Sequence, residues 1–241
     1  MTDPTRTALW TSIAETLSAE IAKGHYRPGD KLPTEAQLSV RFGVNRHTVR
    51  HAVQSLVQAG TLHSRRGSGV FVMLQPTDYP LGLRVRFHQN IAASGRTASR
   101  QFNRLETRGC DAGEAEALGL TAGAPVHVVE GVSMADGQPV AVFRSVFPAG
   151  RFPDLLTHAA KTPSITAALS ACGVADYTRR STRITARLAN AVQAVALRLA
   201  EGAAILRSEA VNVDPAGQPV EYGLAWFAGD RVTLTHAPDQ P

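Results

Sequence analysis

An internal repeat in the C-terminal part of the chain most constrains how this sequence can fold. Positions 103–108 align with 182–187, and positions 111–120 align with 190–199, both at the same offset. The tetrapeptide Gly-Gln-Pro-Val at 137–140 recurs at 217–220, one position later than that offset requires. Each copy has the pattern of a strand, a short helix with a glycine-containing turn, and a hairpin. Two copies are too few for a solenoid, so the repeat predicts one antiparallel sheet built from two related halves.

Strands that alternate with short helices in this way predict an α+β domain, with the helices on one face of the sheet. The first hairpin is predicted to begin at 125, turn at 135–137 and return to 147. The second is predicted to begin at 204, turn at 214–217 and return to 227. A pocket between the two halves would be the natural place for a small ligand.

The N-terminal part of the chain has a different pattern, two helices joined by a short turn. Thr34, followed three residues later by Gln37, matches a capping box at the start of the first helix. Gly43 ends that helix in a tight turn, and Asn45 is a favourable N-cap for a second helix over 46–58. Helices joined in this way are typical of a helix-turn-helix.

The second helix has a buried face and a cationic start. Its apolar residues recur at spacings of three and four, which predicts a buried stripe: Val49, Ala52, Val53 and Leu56. Arg46, His47 and Arg50 fall off that stripe. The segment 62–72 follows with two short strands around a glycine-rich tip, which predicts a hairpin that can reach phosphates or a minor groove. An ordinary small helical bundle is the alternative, but a basic helix and a basic hairpin in this order favour DNA binding.

Positive charge is concentrated in this N-terminal part. Positions 1–73 hold 9 Lys and Arg against 5 Asp and Glu, a net charge of +4. Positions 74–241 hold 16 against 15, a net charge of +1. The excess charge therefore lies where a polyanion would bind.

The remaining composition is that of a globular protein with no metal or disulfide framework. Two cysteines, Cys110 and Cys172, are too few for a disulfide scaffold or a zinc site, so we expect plain thiols. His47 and His51 have a metal-like spacing, but no third ligand accompanies them. No signal-peptide pattern or membrane-length apolar run is present, so we expect a cytoplasmic protein without a cofactor.

We predict two domains. A helix over 6–23, with Leu9, Ile13, Leu17 and Ile21 on its buried face, completes an N-terminal domain over 1–73. The turn-rich segment 74–80 is interpreted as a linker, and 81–241 as the second domain.

Four segments of the first domain resemble the winged-helix head of GntR-type bacterial transcription regulators: 29–35, 42–50, 60–62 and 66–72. The resemblance implies that Glu35, Arg46, Arg50 and Gly67 lie at the DNA. The residues themselves add further candidates around these positions. The additional predicted DNA contacts are Lys31, Thr34, Arg41, Asn45, His47, Thr48, Arg65, Arg66 and Ser68.

The second domain resembles the UTRA effector-binding domain of the HutC branch of GntR regulators. The resemblance rests on 118–120, 136–139 and 214–222, and implies a chorismate-lyase-like α+β fold that senses small molecules. Within that branch, the segment 83–91 followed by Gly95 is most similar to phosphonate-metabolism regulators of the PhnF type. The expected effector is a small anionic metabolite such as a phosphonate, and a phosphonate, a sugar phosphate and an organic acid all remain open.

Arginines of this near-neutral domain are the candidate ligand residues, because guanidinium groups bind phosphonate or carboxylate with two parallel hydrogen bonds. Arg84 and Arg86 share one side of an extended segment, and Arg144 stands in an apolar run. Each arginine could instead pair with an acid of the fold. The full predicted effector set is Arg84, Arg86, Phe87, Asn90, Arg144, Ser164, Tyr177, Arg179 and Glu221.

The sequence thus predicts a ligand-responsive, DNA-binding regulator of the repressor type, acting as a homodimer on operator DNA. An enzyme of lyase-like fold is one alternative, although no nucleophilic triad or phosphate-cradling loop is visible. A sequence-blind nucleoid protein is another, and the near-neutral second domain argues against it.

Overall fold

The structure is a computed structural model that describes residues 4–65, 67–73, 76–84 and 86–236. The chain divides into two compact units, residues 1–75 and residues 76–241. The first unit contains helices followed by an antiparallel hairpin. Its elements are α1 (Pro4–Ala22), α2 (Glu35–Phe42), α3 (Arg46–Gln58), β1 (Leu62–Arg65) and β2 (Gly69–Val72).

The helices of the first unit share one apolar core. The side chains of α3 confirm the predicted stripe, because all four are buried: Val49, Ala52, Val53 and Leu56. On α1, Ile13 and Leu17 are buried, but Leu9 is 48% exposed and Trp10 packs on the core instead. A strict four-residue spacing overshoots one helical turn by about 40° per step, so Leu9 lies about 80° away from Leu17 around the helix. The prediction that Leu9 is buried is therefore wrong.

The second unit contains a long antiparallel sheet and several short helices. Its elements are β3 (Thr77–Pro80), α4 (Phe87–Ala93), β4 (Ala98–Gly109), α5 (Ala112–Leu118), β5 (Pro125–Ala135), β6 (Gln138–Pro148), α6 (Leu155–Lys161), α7 (Ile165–Ala171), β7 (Thr178–Leu188), α8 (Ala191–Leu197), β8 (Ala204–Val213), β9 (Pro219–Ala228) and β10 (Val232–Thr235).

The six-stranded sheet has the order β4-β5-β6-β9-β8-β7, and every neighbouring pair is antiparallel. The first half contributes β4, β5 and β6, and the second contributes β7, β8 and β9 in mirrored order. Arg144 of β6 pairs with Leu224 of β9, which is its own counterpart in the repeat when 137–140 is aligned with 217–220. The internal two-fold axis therefore crosses the sheet at this pair, which confirms the two related halves.

Helices cover both faces of this sheet, so the prediction of helices on one face is wrong. Val128 packs against α5, whereas Val129 packs against α6 and α7. Likewise, Ala141 of β6 packs against α4, whereas its neighbour Val142 packs against α8. Successive strand residues point to opposite faces, so α5 and α8 lie on one face, and α4, α6 and α7 on the other. The repeat revealed only α5 and α8, because the other three helices lie outside the repeated segments.

The predicted linker 74–80 is also corrected. Residues Thr77–Pro80 form β3, which pairs in parallel with β10, and the side chains of Thr77 and Tyr79 are buried. The proline and polar residues indicated a turn, but a short two-stranded edge tolerates proline. Positions 74 and 75 lie outside the described residues.

Two smaller expectations concern the thiols and the membrane. Cys110 is buried and Cys172 is partly buried, and both are free. Within the ranges that the structure describes, no helix has the length and apolar character needed to span a membrane.

Candidate functional site

The predicted start signals of α2 and α3 are present in the head, which is the first unit. The Thr34 hydroxyl accepts the Gln37 N–H, and the Gln37 side-chain oxygen accepts the Thr34 N–H. The Asn45 side-chain oxygen accepts both the N–H and the hydroxyl of Thr48. The first cap fixes the start of α2 and the second fixes the start of α3, where several of the predicted contacts lie. Thr48 is buried, so the structure places it inside the head and not on the surface where DNA would lie.

Two predicted DNA contacts, Glu35 and Arg50, bind each other. Arg50 donates Nε to Glu35 Oε1 at 3.0 Å and Nη2 to Oε2 at 2.7 Å. The Arg50 guanidinium lowers the pKa of Glu35, mainly through this hydrogen bond. A two-point contact between planar groups holds the guanidinium in one orientation. Glu35 therefore positions Arg50 on the exposed face of α3.

Arg41 has partners within the head, and Lys31 lies against the hairpin. Arg41 pairs with Glu20 of α1 and donates to the Tyr26 hydroxyl, so it ties α2 to α1. The side chain of Lys31 crosses the hairpin at Gly69, where a Cβ would lie 2.8 Å from Lys31 Cε. Gly69 has a φ of +114°, which suits glycine. Arg41 therefore has a structural role beside any contact with DNA, and the Lys31 side chain requires a glycine at position 69.

The remaining predicted contacts lie at the start of α3 and at the hairpin tip. Arg46 and His47 are exposed in the first turn of α3. Gly67, with a φ of +73°, and Ser68 are exposed at the tip. The side chain of Arg65 and the whole of Arg66 lie outside the described residues.

The second unit contains a cavity on the sheet face that α4, α6 and α7 cover. The empty space within it, counted together with its open mouth, is about 740 Å³. Aromatic side chains from β3, α4 and β6 form part of its wall, and hydroxyl groups from the central strands form its floor. The residues that line it include Tyr79, Phe87, Phe143, Ser133, Ser145, Thr166, Ser208 and Asn212.

Three arginines, Arg86, Arg100 and Arg179, line this cavity. Arg86 pairs with Asp176 at 2.7 Å and lies over the Tyr177 ring, yet its buried Nε has no hydrogen-bond partner. Arg100 and Arg179 form no ion pair with any carboxylate that the structure describes. A cluster of guanidinium groups whose charges are incompletely neutralised is suited to binding an anion.

Arg100 and Arg179 occupy equivalent positions in the two halves, at the same offset that aligns 103–108 with 182–187. Arg100 donates Nε to Ser133 Oγ at 3.2 Å, and Arg179 donates Nε to Asn212 Oδ1 at 3.0 Å. Ser133 and Asn212 are themselves related by this offset. The internal two-fold axis therefore brings two equivalently held arginines into one cavity.

A buried carboxylate, Glu221, also lines the cavity. It accepts the Ser145 hydroxyl at 2.6 Å and the Asn212 side-chain N–H at 2.7 Å. Burial raises the pKa of the adjacent Tyr177, and the Glu221 charge raises it further. The cavity therefore combines several cationic groups with one acidic group.

Five of the predicted effector residues line this cavity: Arg86, Phe87, Tyr177, Arg179 and Glu221. The other four have separate partners. Arg84 pairs with Asp176 and holds the pKa of that carboxyl at about 2, while Asn90 donates to the Pro80 carbonyl. Ser164 caps α7, because its hydroxyl accepts the Ala167 N–H.

Arg144 was predicted to bind the effector, but it does not line the cavity. It pairs with Glu130 at 2.5 Å, and both belong to the sheet face opposite the cavity, because Phe143 and Ser145 on either side line the cavity. Conversely, Arg100, Asn212 and Ser145 were not predicted. The repeat itself would have identified Arg100, as the counterpart of the predicted Arg179.

Comparison with known proteins agrees with both units. Residues 9–72 match the family of bacterial regulatory proteins of the gntR type, and residues 93–233 match the UTRA domain. The chain belongs to the GntR family of transcriptional regulators. This GntR regulator is 36% identical over 228 residues to an HTH-type transcriptional regulator of Rhizobium meliloti that is itself uncharacterized, covering 94% of this chain and 93% of that protein.

Two further comparisons extend the similarity to named members. The regulator is 30% identical over 209 residues to the HTH-type transcriptional repressor PhnF of Mycolicibacterium smegmatis, covering 87% of this chain and 84% of the repressor. The crystal structure of PhnF from Mycobacterium smegmatis superposes with a TM-score of 0.67 at 27% identity, covering 97% of this chain and 100% of that one. These relatives are regulators, so the enzyme alternative is set aside.

Proposed function

We propose that this GntR regulator is a repressor whose operator affinity falls when a small anionic effector occupies the cavity of the second unit. The observation that carries the proposal is the cluster of Arg86, Arg100 and Arg179 in one cavity of a UTRA domain. Anions are attracted to guanidinium groups in a partly desolvated site more strongly than in water. Relatives named as repressors support the sign of regulation.

The proposed effector class is a phosphonate, with a sugar phosphate or an organic acid as alternatives. A tetrahedral oxyanion offers several acceptor oxygens, and Arg86 Nε and the terminal nitrogens of Arg100 are available donors. The sequence resemblance to phosphonate-metabolism regulators, together with the PhnF relatives, supports the phosphonate.

The proposed operator surface consists of the start of α3 and the hairpin. Arg46 and Arg50 would enter the major groove, and the hairpin tip would contact phosphates or the minor groove. One head of this size buries too little surface for tight specific binding, so we propose a homodimer on a two-fold operator, acting in the cytoplasm.

The test is an operator titration with and without effector. Operator fragments from the upstream region of the gene are titrated by fluorescence anisotropy, after a thermal-shift screen of phosphonates, sugar phosphates and organic acids. We expect a hit to weaken operator binding about 5- to 150-fold, and the operator to weaken the hit by the same factor. Equal effector affinity with and without operator would contradict the proposal.

The matched variants are Arg100→Met and Arg187→Met. Arg100→Met keeps the side-chain stem between its aromatic neighbours and removes the charge, so operator binding should persist while the response is lost. Arg187 is an exposed arginine of β7, and its variant should respond like wild type.

A further inference from the structure

Arg100 is held in a way that leaves its charge available to a ligand. Its guanidinium carbon lies 4.9 Å from the centre of the Phe87 ring and 4.6 Å from that of Phe143. One nitrogen, Nε, donates to Ser133, and the other two make no hydrogen bond within the described residues. Burial lowers the pKa of Arg100, which reports the cost of keeping this charge away from water. An oxyanion between the two terminal nitrogens would offset that cost.

Glu221 is a buried carboxylate without a cationic hydrogen-bond donor among the described residues. It is only 7% exposed, and its two hydrogen-bond donors, Ser145 and Asn212, are both neutral. A carboxylate offers about four acceptor positions, so roughly half of them remain unused here. A buried carboxylate that receives only neutral hydrogen bonds is stabilised further by a cationic donor.

The acidic corner formed by Glu221 and Ser145 occurs once in the cavity, whereas the arginine occurs twice, as Arg100 and Arg179. The counterpart of Glu221 is Ala141, and the counterpart of Ser145 is Ala225, both in the alignment of 137–140 with 217–220. Both counterparts also line the cavity, so the alanines lie where a second acidic corner would be. One end therefore holds Arg100 with Ser133, and the other holds Arg179 with Asn212 and Glu221, so the two ends differ in charge. A ligand with two different ends fits them better than a symmetric dianion.

We infer that the effector is a dipolar small molecule, with an oxyanion bound by Arg100 and a protonated amine bound by Glu221. The inference rests on the proposed function, because it assigns the chemistry of the same cavity. Arg86 Nε is a further donor to the oxyanion, and the Asn212 amide holds Glu221 in place. The competing explanation is that Glu221 only balances the arginine charges and never contacts the ligand.

Matched probes separate these two explanations. The full-length protein is titrated calorimetrically with ω-aminoalkylphosphonates of two to four methylene groups, and with alkylphosphonates and ω-hydroxyalkylphosphonates of the same lengths. The same three series are prepared as carboxylates and phosphate monoesters. At one chain length we expect the amine to tighten binding by at least about tenfold, the size of a charge-assisted hydrogen bond.

Glu221→Gln gives opposite results under the two explanations. The glutamine oxygen can still accept from Asn212, and its amide can donate to the Ser145 hydroxyl, so the fold is preserved. If Glu221 binds the amine, the variant loses the tenfold advantage of the amine probe only. If Glu221 is only a counter-charge, the variant binds every anionic probe at least as tightly as wild type, and the inference is overturned.

The wild-type probe series is decisive even if this variant fails to fold. Equal affinity for amine-bearing and amine-free anions overturns the dipolar ligand but leaves the anionic effector of the proposed function intact. An advantage for the hydroxyl probe equal to that of the amine also overturns the assigned charge. Binding of none of these probes overturns the dipolar ligand, and failure of every anion in the thermal-shift screen overturns the proposed function as well. Arg187→Met serves as the control and should keep the wild-type order of affinities.

Discussion

Glu114 provides a sharp test of the energetics of the second unit. Its side chain is 3% exposed and accepts Arg108 Nη1 and Nη2, each at 2.6 Å. It also accepts the Asp111 N–H at 3.0 Å, which completes the capping box of α5. Glu114→Gln removes the charge and retains the shape, so the variant isolates the contribution of the ion pair.

The expected cost is about 2 kcal/mol, below the range for a fully buried pair. Breaking a buried ion pair by removing one partner costs about 3–5 kcal/mol when the other charge stays buried. Arg108 is 31% exposed, so water can hydrate it and reduce that cost. The second half supplies a matched control, because the counterpart of Glu114 is Gln193, which caps α8 without a charge. Gln193→Ala should cost only about 1 kcal/mol, the value of a neutral hydrogen bond.

The stability difference between wild type and Glu114→Gln should depend on pH in a definite direction. Arg108 lowers the pKa of Glu114 from its ordinary value of 4.5, chiefly through the hydrogen bonds. A lowered folded-state pKa contributes stability that is present above pH 4.5 and is lost as the pH falls through the folded-state pKa. The difference between wild type and Glu114→Gln should therefore shrink by about 1.4 kcal/mol per pH unit below 4.5 until the folded-state pKa is reached.

The assay is urea unfolding followed by tryptophan fluorescence. The chain has 2 tryptophans, so a Trp10→Phe background leaves Trp226 of β9 as the reporter of the second unit. A difference between wild type and Glu114→Gln that stays constant from pH 7 to pH 3.5 would refute the reasoning, as would a cost no larger than that of Gln193→Ala.

Three further predictions concern DNA binding and the sheet. Arg50→Ala should weaken operator binding about ten- to a hundredfold if the guanidinium contacts a base, and wild-type binding at several salt concentrations would contradict that assignment. Replacing both Arg65 and Arg66 by alanine should lower the slope of log affinity against log salt by about one per lost phosphate contact, and an unchanged slope would exclude the hairpin from the interface. Gly131→Ala should weaken effector binding and thermal stability together, because a Cβ there would lie 2.1 Å from the Gln101 carbonyl oxygen on β4, beside Arg100. Wild-type melting and effector binding in that variant would show that β4 does not need this close approach.

The sequence predicted the local signals of the fold well. The caps at Thr34 and Asn45, the bounds of α3 and both long hairpins depend on residues close together in the chain, and the structure confirms them. Alternation along β6 could also have separated Arg144 from the cavity, because Phe143 and Ser145 point the other way.

The partners of the arginines could not be predicted from local pattern. Arg84 meets Asp176, which is 92 residues away in the chain, and nothing near either residue indicates the contact. The position of the helices on the cavity face could not be predicted for a similar reason. They lie outside the repeated segments and reach the sheet only through tertiary packing. The linker was mistaken because proline and polar residues suit an edge strand as well as a turn.

The duplication of the sheet has a consequence for how specificity can change. Two identical half-length chains related by a two-fold axis would place the same residue at both ends of their shared cavity, so any substitution would appear twice. Covalent joining of the halves removes that constraint, because each end is encoded separately. Ala141 and Glu221 occupy equivalent positions with unrelated chemistry. A single substitution in such a chain can alter one end of the cavity and leave the arginine at the other end unchanged, so selectivity can be altered one end at a time.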